Sequence, residues 1–148
     1  MIELIHKELS GKIIGCLFEV HNQLGSGLLE RYYQKALAVE FKRKGLNFKE
    51  QVSVPIYYYN KTVGRRQADF VIENVVILEI KKDHMFSRQH IEQVKSYLIS
   101  MNLQLALLAN FTGSGVKFKR IVNIYWYVYR LRIYYGYTDL RIRTSVYW

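Results

Sequence analysis

The feature that most constrains the fold is an unbroken apolar run at residues 75–78. A strand with one face in water alternates polar and apolar residues, so a strand without alternation is expected where helices cover both faces of a sheet. A second run, at residues 105–110, also lacks alternation and is apolar except for Asn110 at its end. The sequence therefore predicts an α/β domain whose mixed central sheet lies between helices.

Three helices and five strands are predicted around these runs. Apolar residues recur every three or four positions over residues 2–24 and 28–44, and Gly45 suits the C-terminal cap of the second helix. A third helix should begin after the N-cap Ser87 and end near Met101. The strands are predicted over residues 51–59, 68–72, 75–80, 105–110 and 116–124.

Charge and cysteine content narrow the class of protein. The chain has 148 residues, which suits one domain, and a formal net charge of +10, which attracts polyanions such as nucleic acid. Its one cysteine, Cys16, excludes an intrachain disulfide, fits a reducing cytoplasm and sits in an apolar helical stretch as a core residue. No signal sequence and no apolar run long enough for a membrane span are visible, so we expect a cytoplasmic protein.

The sharpest local pattern is Asp69, a gap of nine residues, and then Glu79, Ile80 and Lys81. Glu79 and Lys81 are two apart on a strand, so their side chains point to the same side, while Ile80 points into the core. Asp69 lies on the preceding strand and a tight turn at residues 73–74 brings it near the level of Glu79. Two carboxylates and a lysine should therefore converge.

This trio is what metal-assisted phosphodiester hydrolysis needs. Two carboxylates can hold a hard divalent cation such as Mg²⁺, and the ion polarises the phosphate and lowers the pKa of bound water. A nearby lysine can orient or deprotonate that water and offset charge in the transition state. The alternative interpretation of Asp69, Glu79 and Lys81 is an ordinary ion pair at a strand end.

Further motifs occur in order and at sensible spacing. They are Gly27-Leu28-Leu29-Glu30-Arg31-Tyr32-Tyr33, Ala68-Asp69-Phe70-Val71, Leu78-Glu79-Ile80-Lys81 and Gln93-Val94-Lys95-Ser96-Tyr97-Leu98. Over about residues 3–122 the chain resembles the GxxExxY proteins, a branch of the PD-(D/E)XK nuclease superfamily. The resemblance implies a restriction-endonuclease-like core. Ala68 stands where the superfamily's name has proline, which matters little because only the aspartate is a ligand.

The resemblance also implies a role for each matching residue. Asp69 and Glu79 resemble the metal-binding carboxylates, with the backbone carbonyl of Ile80 as a further metal contact. Lys81 resembles the catalytic lysine. Glu30 resembles the helix glutamate that acts on the metal through water, and Gln93 resembles the third-helix residue that reaches the phosphate or a metal-bound water. The implied cofactor is Mg²⁺ or Mn²⁺.

Two functions in different classes follow from these patterns. The first is a metal-dependent endonuclease that hydrolyses phosphodiester bonds of nucleic acid, with DNA favoured over RNA by the resemblance. The second is a non-catalytic nucleic-acid-binding or assembly module that keeps the nuclease fold. Arg65, Arg66 and Lys82 lie near the motif and could line a phosphate track, or they belong to a solvated surface. The tyrosines at residues 57–59 are predicted to pack on both faces of their strand.

The chain from residue 125 onward has a different composition, rich in tyrosine, tryptophan and arginine. We therefore divide the sequence into a nuclease-like domain, residues 1–124, and a C-terminal extension, residues 125–148. Aromatics interleaved with arginine could stack on bases. The favoured interpretation is an extra strand or hairpin that packs on the domain or on a second subunit, and the second arrangement would give a homodimer.

Overall fold

The computed structural model describes residues 4–82 and 85–124. In that part of the chain it has three helices and five strands. The helices are α1 (Lys7–Leu24), α2 (Glu30–Arg43) and α3 (Arg88–Met101). The strands are β1 (Phe48–Tyr58), β2 (Lys61–Ile72), β3 (Val76–Lys81), β4 (Leu105–Thr112) and β5 (Gly115–Val122).

The five strands form one mixed sheet in the order β1-β2-β3-β4-β5. Strands β1 to β3 are antiparallel neighbours and so are β4 and β5, whereas β3 and β4 are parallel. Parallel neighbours need a crossover connection, and α3 lies between β3 and β4 in the chain. The predicted mixed sheet between helices is therefore confirmed.

The core lies on both faces of the sheet, as the apolar run at residues 75–78 predicts. Leu78 and Ile80 pack in a cluster with residues of α1 and α2, while Ile77 packs in a second cluster with residues of α3. All three side chains are almost completely buried. Successive residues of a strand point to opposite faces, so β3 contributes to both clusters at once.

The loop between α1 and α2 is held by Tyr33. Its hydroxyl donates to the carbonyl of Gly25 at 2.8 Å and accepts from the backbone N–H of Leu28 at 3.2 Å. Its ring stacks on that of Phe111, with centroids 4.1 Å apart and planes 4° from parallel. These contacts fix the loop just before Glu30, the first residue of α2.

Several local predictions are confirmed and others shift. Ser87 caps α3 by accepting from the backbone N–H of His90 at 3.1 Å, and Gly45 follows α2 with a φ of +70°. Helix α1 begins at Lys7 rather than at residue 2. Strand β2 begins seven residues before the predicted residue 68, at Lys61, because a turn with positive φ at Tyr59 and Asn60 closes a long hairpin with β1.

Cys16 is buried in the core, as expected. Burial, followed by the nearby charge of Glu40, raises the pKa of its thiol to about 11, so it is an inert core residue. No helix among the described residues is both long and apolar enough to cross a membrane. The predicted extension, residues 125–148, lies outside the described residues, and the boundary at residue 124 stays a prediction.

Candidate active site

The site forms where β2 and β3 stop pairing with each other. Their ladder runs from Ile72/Val76 to Phe70/Leu78 and ends there. At the next level the backbone N–H of Asp69 donates to Glu79 Oε2 at 3.1 Å, and the N–H of Ile80 donates to Asp69 Oδ2 at 2.8 Å. Each carboxylate thus accepts a backbone N–H from the opposite strand, and the predicted meeting of Asp69 and Glu79 is observed.

The two carboxylates are buried and their pKa values are raised. Asp69 is 8% exposed and Glu79 is 3% exposed. Burial is the largest cause for both groups, and for Glu79 the charge of Asp69 comes next and brings its pKa to about 7. Desolvation thus contributes more to the shift of Glu79 than the repulsion between the two carboxylates does. Burial makes the charged forms of both carboxylates unfavourable. A cation bound beside them would offset that cost.

Lys81 and Glu30 border this pair. The ammonium of Lys81 lies 3.5 Å from Glu79 Oε1, as their positions two apart on β3 predict. Glu30 accepts the backbone N–H of Lys82 at 2.9 Å, so its carboxylate is tied to the end of β3. Its charge also raises the pKa of Asp69. Glu30 therefore lies beside the pair without a direct contact to it.

Two glutamines that the sequence analysis did not identify support Asp69. Gln34 Nε2 donates to Asp69 Oδ1 at 3.0 Å, and Gln51 Nε2 donates to Gln34 Oε1 at 3.2 Å. Gln34 lies one turn after Glu30 on α2, and residues four apart share a helix face. That spacing is the signal that could have identified Gln34.

Gln51 stands at an irregular point of the sheet. It has a φ of +48°, which is uncommon for a residue other than glycine and costs conformational energy. On the neighbouring strand β2, Phe70 and Ala68 are two residues apart and would share a face in a regular strand. Phe70 instead packs with the α1 and α2 cluster and Ala68 with the α3 cluster. The alternation of side chains therefore changes at Asp69, on the strand opposite Gln51.

Gln93 reaches the site through a tyrosine. Its side-chain N–H donates to the hydroxyl of Tyr97 at 2.7 Å, and that hydroxyl donates to the carbonyl of Gln67 at 3.2 Å. Burial first, and then the charge of Glu79, raises the pKa of Tyr97. Gln93 thus lies on the α3 side of the site and is held by Tyr97 rather than by either carboxylate.

This geometry agrees with what comparison with known proteins finds. Residues 7–121 match the PD-(D/E)XK nuclease superfamily. The chain belongs to that superfamily. The predicted recognition and fold class are confirmed at this level, and the narrower GxxExxY assignment stays a prediction. A comparison with curated proteins gave no significant match.

Solved structures of low sequence identity are similar to this chain over most of its length. The protein SSO0001 is 17% identical with a TM-score of 0.51 over 86% of this chain, which spans 66% of that protein's length. An alkaline exonuclease from Laribacter hongkongensis, LHK-Exo, is 10% identical with a TM-score of 0.46, over 84% of this chain and 87% of its own. Its complex with dAMP gives 9% identity, the same TM-score and the same coverage.

The oxygens of this PD-(D/E)XK site fit a hard divalent cation. Among residues 4–82 and 85–124, no three side chains of His, Cys, Asp or Glu gather closely enough to hold a metal. Mg²⁺, however, is commonly bound by one or two carboxylates together with waters and substrate phosphates. The carboxylates of Asp69 and Glu79 suit that ion, and each oxygen that accepts one hydrogen bond has a second lone pair.

The predicted phosphate-binding residues occupy different places around the PD-(D/E)XK site. Lys82 is exposed and adjoins Lys81. Together they line a pocket of about 220 Å³ whose walls also include Glu30, Asn110 and Thr112. Arg65 and Arg66 are exposed on β2, where Arg65 donates to Ser53 Oγ at 3.1 Å. As neighbours on a strand they point to opposite faces, so they cannot form a single row.

Proposed function

We propose that this protein is a metal-dependent nuclease that hydrolyses phosphodiester bonds of DNA and uses Mg²⁺ or Mn²⁺. The observation that carries the proposal is the mutual contact of Asp69 and Glu79 at the end of the β2–β3 ladder, with Lys81 3.5 Å from Glu79. An ordinary surface ion pair would be exposed, whereas here both carboxylates are buried and Glu79 lies beside the ammonium group of Lys81.

The proposed division of labour follows from the contacts. Asp69 and Glu79, with the backbone carbonyl of Ile80, would hold the cation, and a bound cation would supply polarisation of the phosphate and a lower pKa for bound water. Lys81 places positive charge beside Glu79, where it offsets negative charge that develops on the phosphate.

Glu30 and Gln93 flank the pair from α2 and α3. Glu30 is fixed by the N–H of Lys82 and can accept a proton or orient a water through its other oxygen. Gln93, held by Tyr97, retains a side-chain carbonyl that can accept a hydrogen bond from a water at the phosphate. Lys82, in the pocket beside Lys81, and Arg65 and Arg66, farther along β2 and on opposite faces, supply charge for phosphates away from the cleaved bond.

The proposal is tested by cleavage of a panel of labelled nucleic acids with Mg²⁺, with Mn²⁺ and with EDTA. The panel includes single-stranded, duplex and branched DNA and the matching RNA. We expect metal-dependent cleavage of DNA, a loss of at least about a hundredfold in Asp69→Asn and in Lys81→Ala, and no loss in Glu8→Gln. Glu8 is an exposed carboxylate on α1 and serves as the matched control.

The same experiment separates this function from a non-catalytic module. A module would bind nucleic acid without metal-dependent cleavage, and Asp69→Asn would leave its binding unchanged. We further propose that the protein acts in a reducing cytoplasm, that residues 1–124 form the nuclease domain and that residues 125–148 pack on that domain or on a second subunit, which would give a homodimer. Light scattering on the full chain tests the dimer, and a monomer at tens of micromolar would exclude it.

A further inference from the structure

The β1–β2 hairpin extends far beyond its contact with the rest of the sheet. Strands β1 and β2 pair from Phe48/Ile72 out to Tyr58/Lys61, whereas β2 pairs with β3 only from Ile72 to Phe70. Helix α3 supports the hairpin as far as Pro55, whose carbonyl accepts from Ser100 Oγ at 3.0 Å. We call the end of the hairpin, residues 56–66, the hairpin arm; Arg65 and Arg66 pair with Pro55 and Val54 at its base.

The hairpin arm exposes aromatic side chains to solvent. Tyr57 is 58% exposed, Tyr58 is 66% exposed and Tyr59 is 86% exposed. The rings of Tyr58 and Tyr59 meet edge to face, with centroids 4.7 Å apart. The prediction that these tyrosines pack on both faces of the strand is therefore wrong. A group of exposed apolar side chains at one place usually marks a binding surface.

The charge of the hairpin arm selects a polyanion as its partner. Lys61, Arg65 and Arg66 are all exposed, and no acidic residue occurs between Glu50 and Asp69. Contact with a second copy of the same arm would bring like charges together, which opposes that pairing. Aromatic rings beside cations are the combination by which proteins hold single-stranded nucleic acid.

The hairpin arm also leads to the site along a single strand. Arg65 precedes Asp69 on β2 by four residues, or about 13 Å, and Lys61 precedes it by eight, or about 26 Å. A nucleic acid strand that follows β2 over that distance would place several phosphates along it. A polyanion at the arm can therefore be the same molecule that is cleaved.

We propose that the hairpin arm binds an unpaired segment of the nucleic acid substrate, with tyrosine rings stacked on bases and Lys61 and Arg65 at phosphates. This inference rests on the proposed nuclease function and adds a substrate class to it. Stacking requires base faces that are open, and a duplex covers them, so the arm favours substrates with a single-stranded region next to the cleaved bond.

The test measures binding without cleavage, by fluorescence anisotropy in EDTA, for a labelled single-stranded DNA and a duplex of the same sequence. We expect the double variant Tyr58→Ala/Tyr59→Ala to bind the single strand about tenfold more weakly and the duplex with unchanged affinity. The double variant to phenylalanine should bind as the wild type does, because stacking needs the ring and not the hydroxyl. Val39→Ala, an exposed apolar residue on α2, is the surface control.

Three results would overturn the proposal. They are no binding of single strands by the wild type, equal losses on single strand and duplex, and an unchanged affinity combined with a change in oligomeric state, which would assign the arm to self-association. Cleavage is measured separately. If the alanine variant loses single-strand affinity but the wild type shows no metal-dependent cleavage, the proposed nuclease function is wrong and the binding role of the arm is supported. If the wild type cleaves but the alanine variant keeps its single-strand affinity, only the binding role of the arm is wrong.

Discussion

At the scale of single residues, the orientation of Asp69 depends on Gln34. The Gln34 amide donates to Asp69 Oδ1 and accepts from Gln51, so the carboxylate is held by a chain of side chains from α2 and β1. Removing the hydrogen-bond partner of a metal-binding carboxylate typically costs ten- to a hundredfold in affinity. We therefore expect Gln34→Ala to weaken Mn²⁺ binding about tenfold in a calorimetric titration.

Gln23→Ala is the matched control for this prediction. Gln23 is an exposed helical glutamine on α1 whose amide donates to Glu19 at 3.1 Å. It has the same chemistry as Gln34 and lies on another helix. Equal Mn²⁺ affinities for Gln34→Ala, Gln23→Ala and the wild type would show that Asp69 keeps its orientation without Gln34.

The pH dependence of stability is a second prediction at this scale. The pKa of Glu79 is raised from 4.5 to about 7, chiefly by burial, so the folded state binds its proton more tightly than the unfolded state does. The contribution of Glu79 to the free energy of unfolding is therefore complete below pH 4.5 and is lost as the pH rises to about 7. Without metal, the free energy of unfolding should fall by roughly 3 kcal/mol across that window.

Urea unfolding in EDTA at pH 5 and at pH 8 measures this loss. The Glu79→Gln variant should show a smaller fall, because it carries no ionisable group at residue 79. The pKa of Asp69 is raised as well, so some dependence of the same sign should remain in the variant. An identical fall in both proteins would mean that Glu79 does not titrate in this window.

Residues that share one element could be predicted from the sequence, and residues that meet across elements could not. The spacing of Glu79 and Lys81 on one strand determines that both lie on one side, and the structure places them 3.5 Å apart. Gln51 meets Gln34 across 17 positions of sequence, in a backbone conformation that glutamine seldom adopts. No local sequence pattern predicts a contact of this kind between a helix and a strand.

At the scale of elements, Tyr33 connects the glycine-rich loop to α2 and to β4. Its hydroxyl makes two hydrogen bonds to the loop and its ring stacks on Phe111. Tyr33→Phe keeps the ring and removes both hydrogen bonds, so we expect a loss of about 1–3 kcal/mol in the free energy of unfolding. Tyr32→Phe, whose hydroxyl contacts only the exposed Arg31 among described residues, should change stability by less than about 0.5 kcal/mol.

Measuring DNA cleavage by Tyr33→Phe tests whether the loop also matters for activity. Because the loop precedes Glu30, loosening it should lower cleavage by Tyr33→Phe even where the protein remains folded. If Tyr33→Phe unfolds at the same urea concentration as Tyr32→Phe, the hydroxyl does not hold the loop.

Helices and buried strands could be predicted well because their periodicity reflects burial directly. The exposed part of the β1–β2 hairpin could not, because β-branched and aromatic residues favour strands whether they are buried or in water. That is why the tyrosines at residues 57–59 were assigned to packing although the structure exposes them. Strand β1 ends at Tyr58 rather than at the predicted residue 59, because Tyr59 takes a positive φ that tyrosine rarely has.

At the scale of the whole molecule, two carboxylates buried inside the sheet weaken the metal-free fold. A ligand that binds only the folded state stabilises it by an amount that grows with ligand concentration. At a hundred times its Kd, Mg²⁺ or Mn²⁺ would contribute about 2.7 kcal/mol, and a domain of this size should then melt about 5–10 °C higher.

Thermal melts with and without Mn²⁺, at pH 5 and at pH 8, test this coupling between metal and fold. The increase in Tm should be larger at pH 8, because at pH 5 protons compete for carboxylates whose pKa values are raised. Asp69→Asn removes one of the two proposed ligands and should lose most of the increase, whereas Glu8→Gln, exposed on α1, should keep all of it. An equal increase in both variants would mean that Mn²⁺ acts elsewhere on the protein and that Asp69 and Glu79 do not hold the metal.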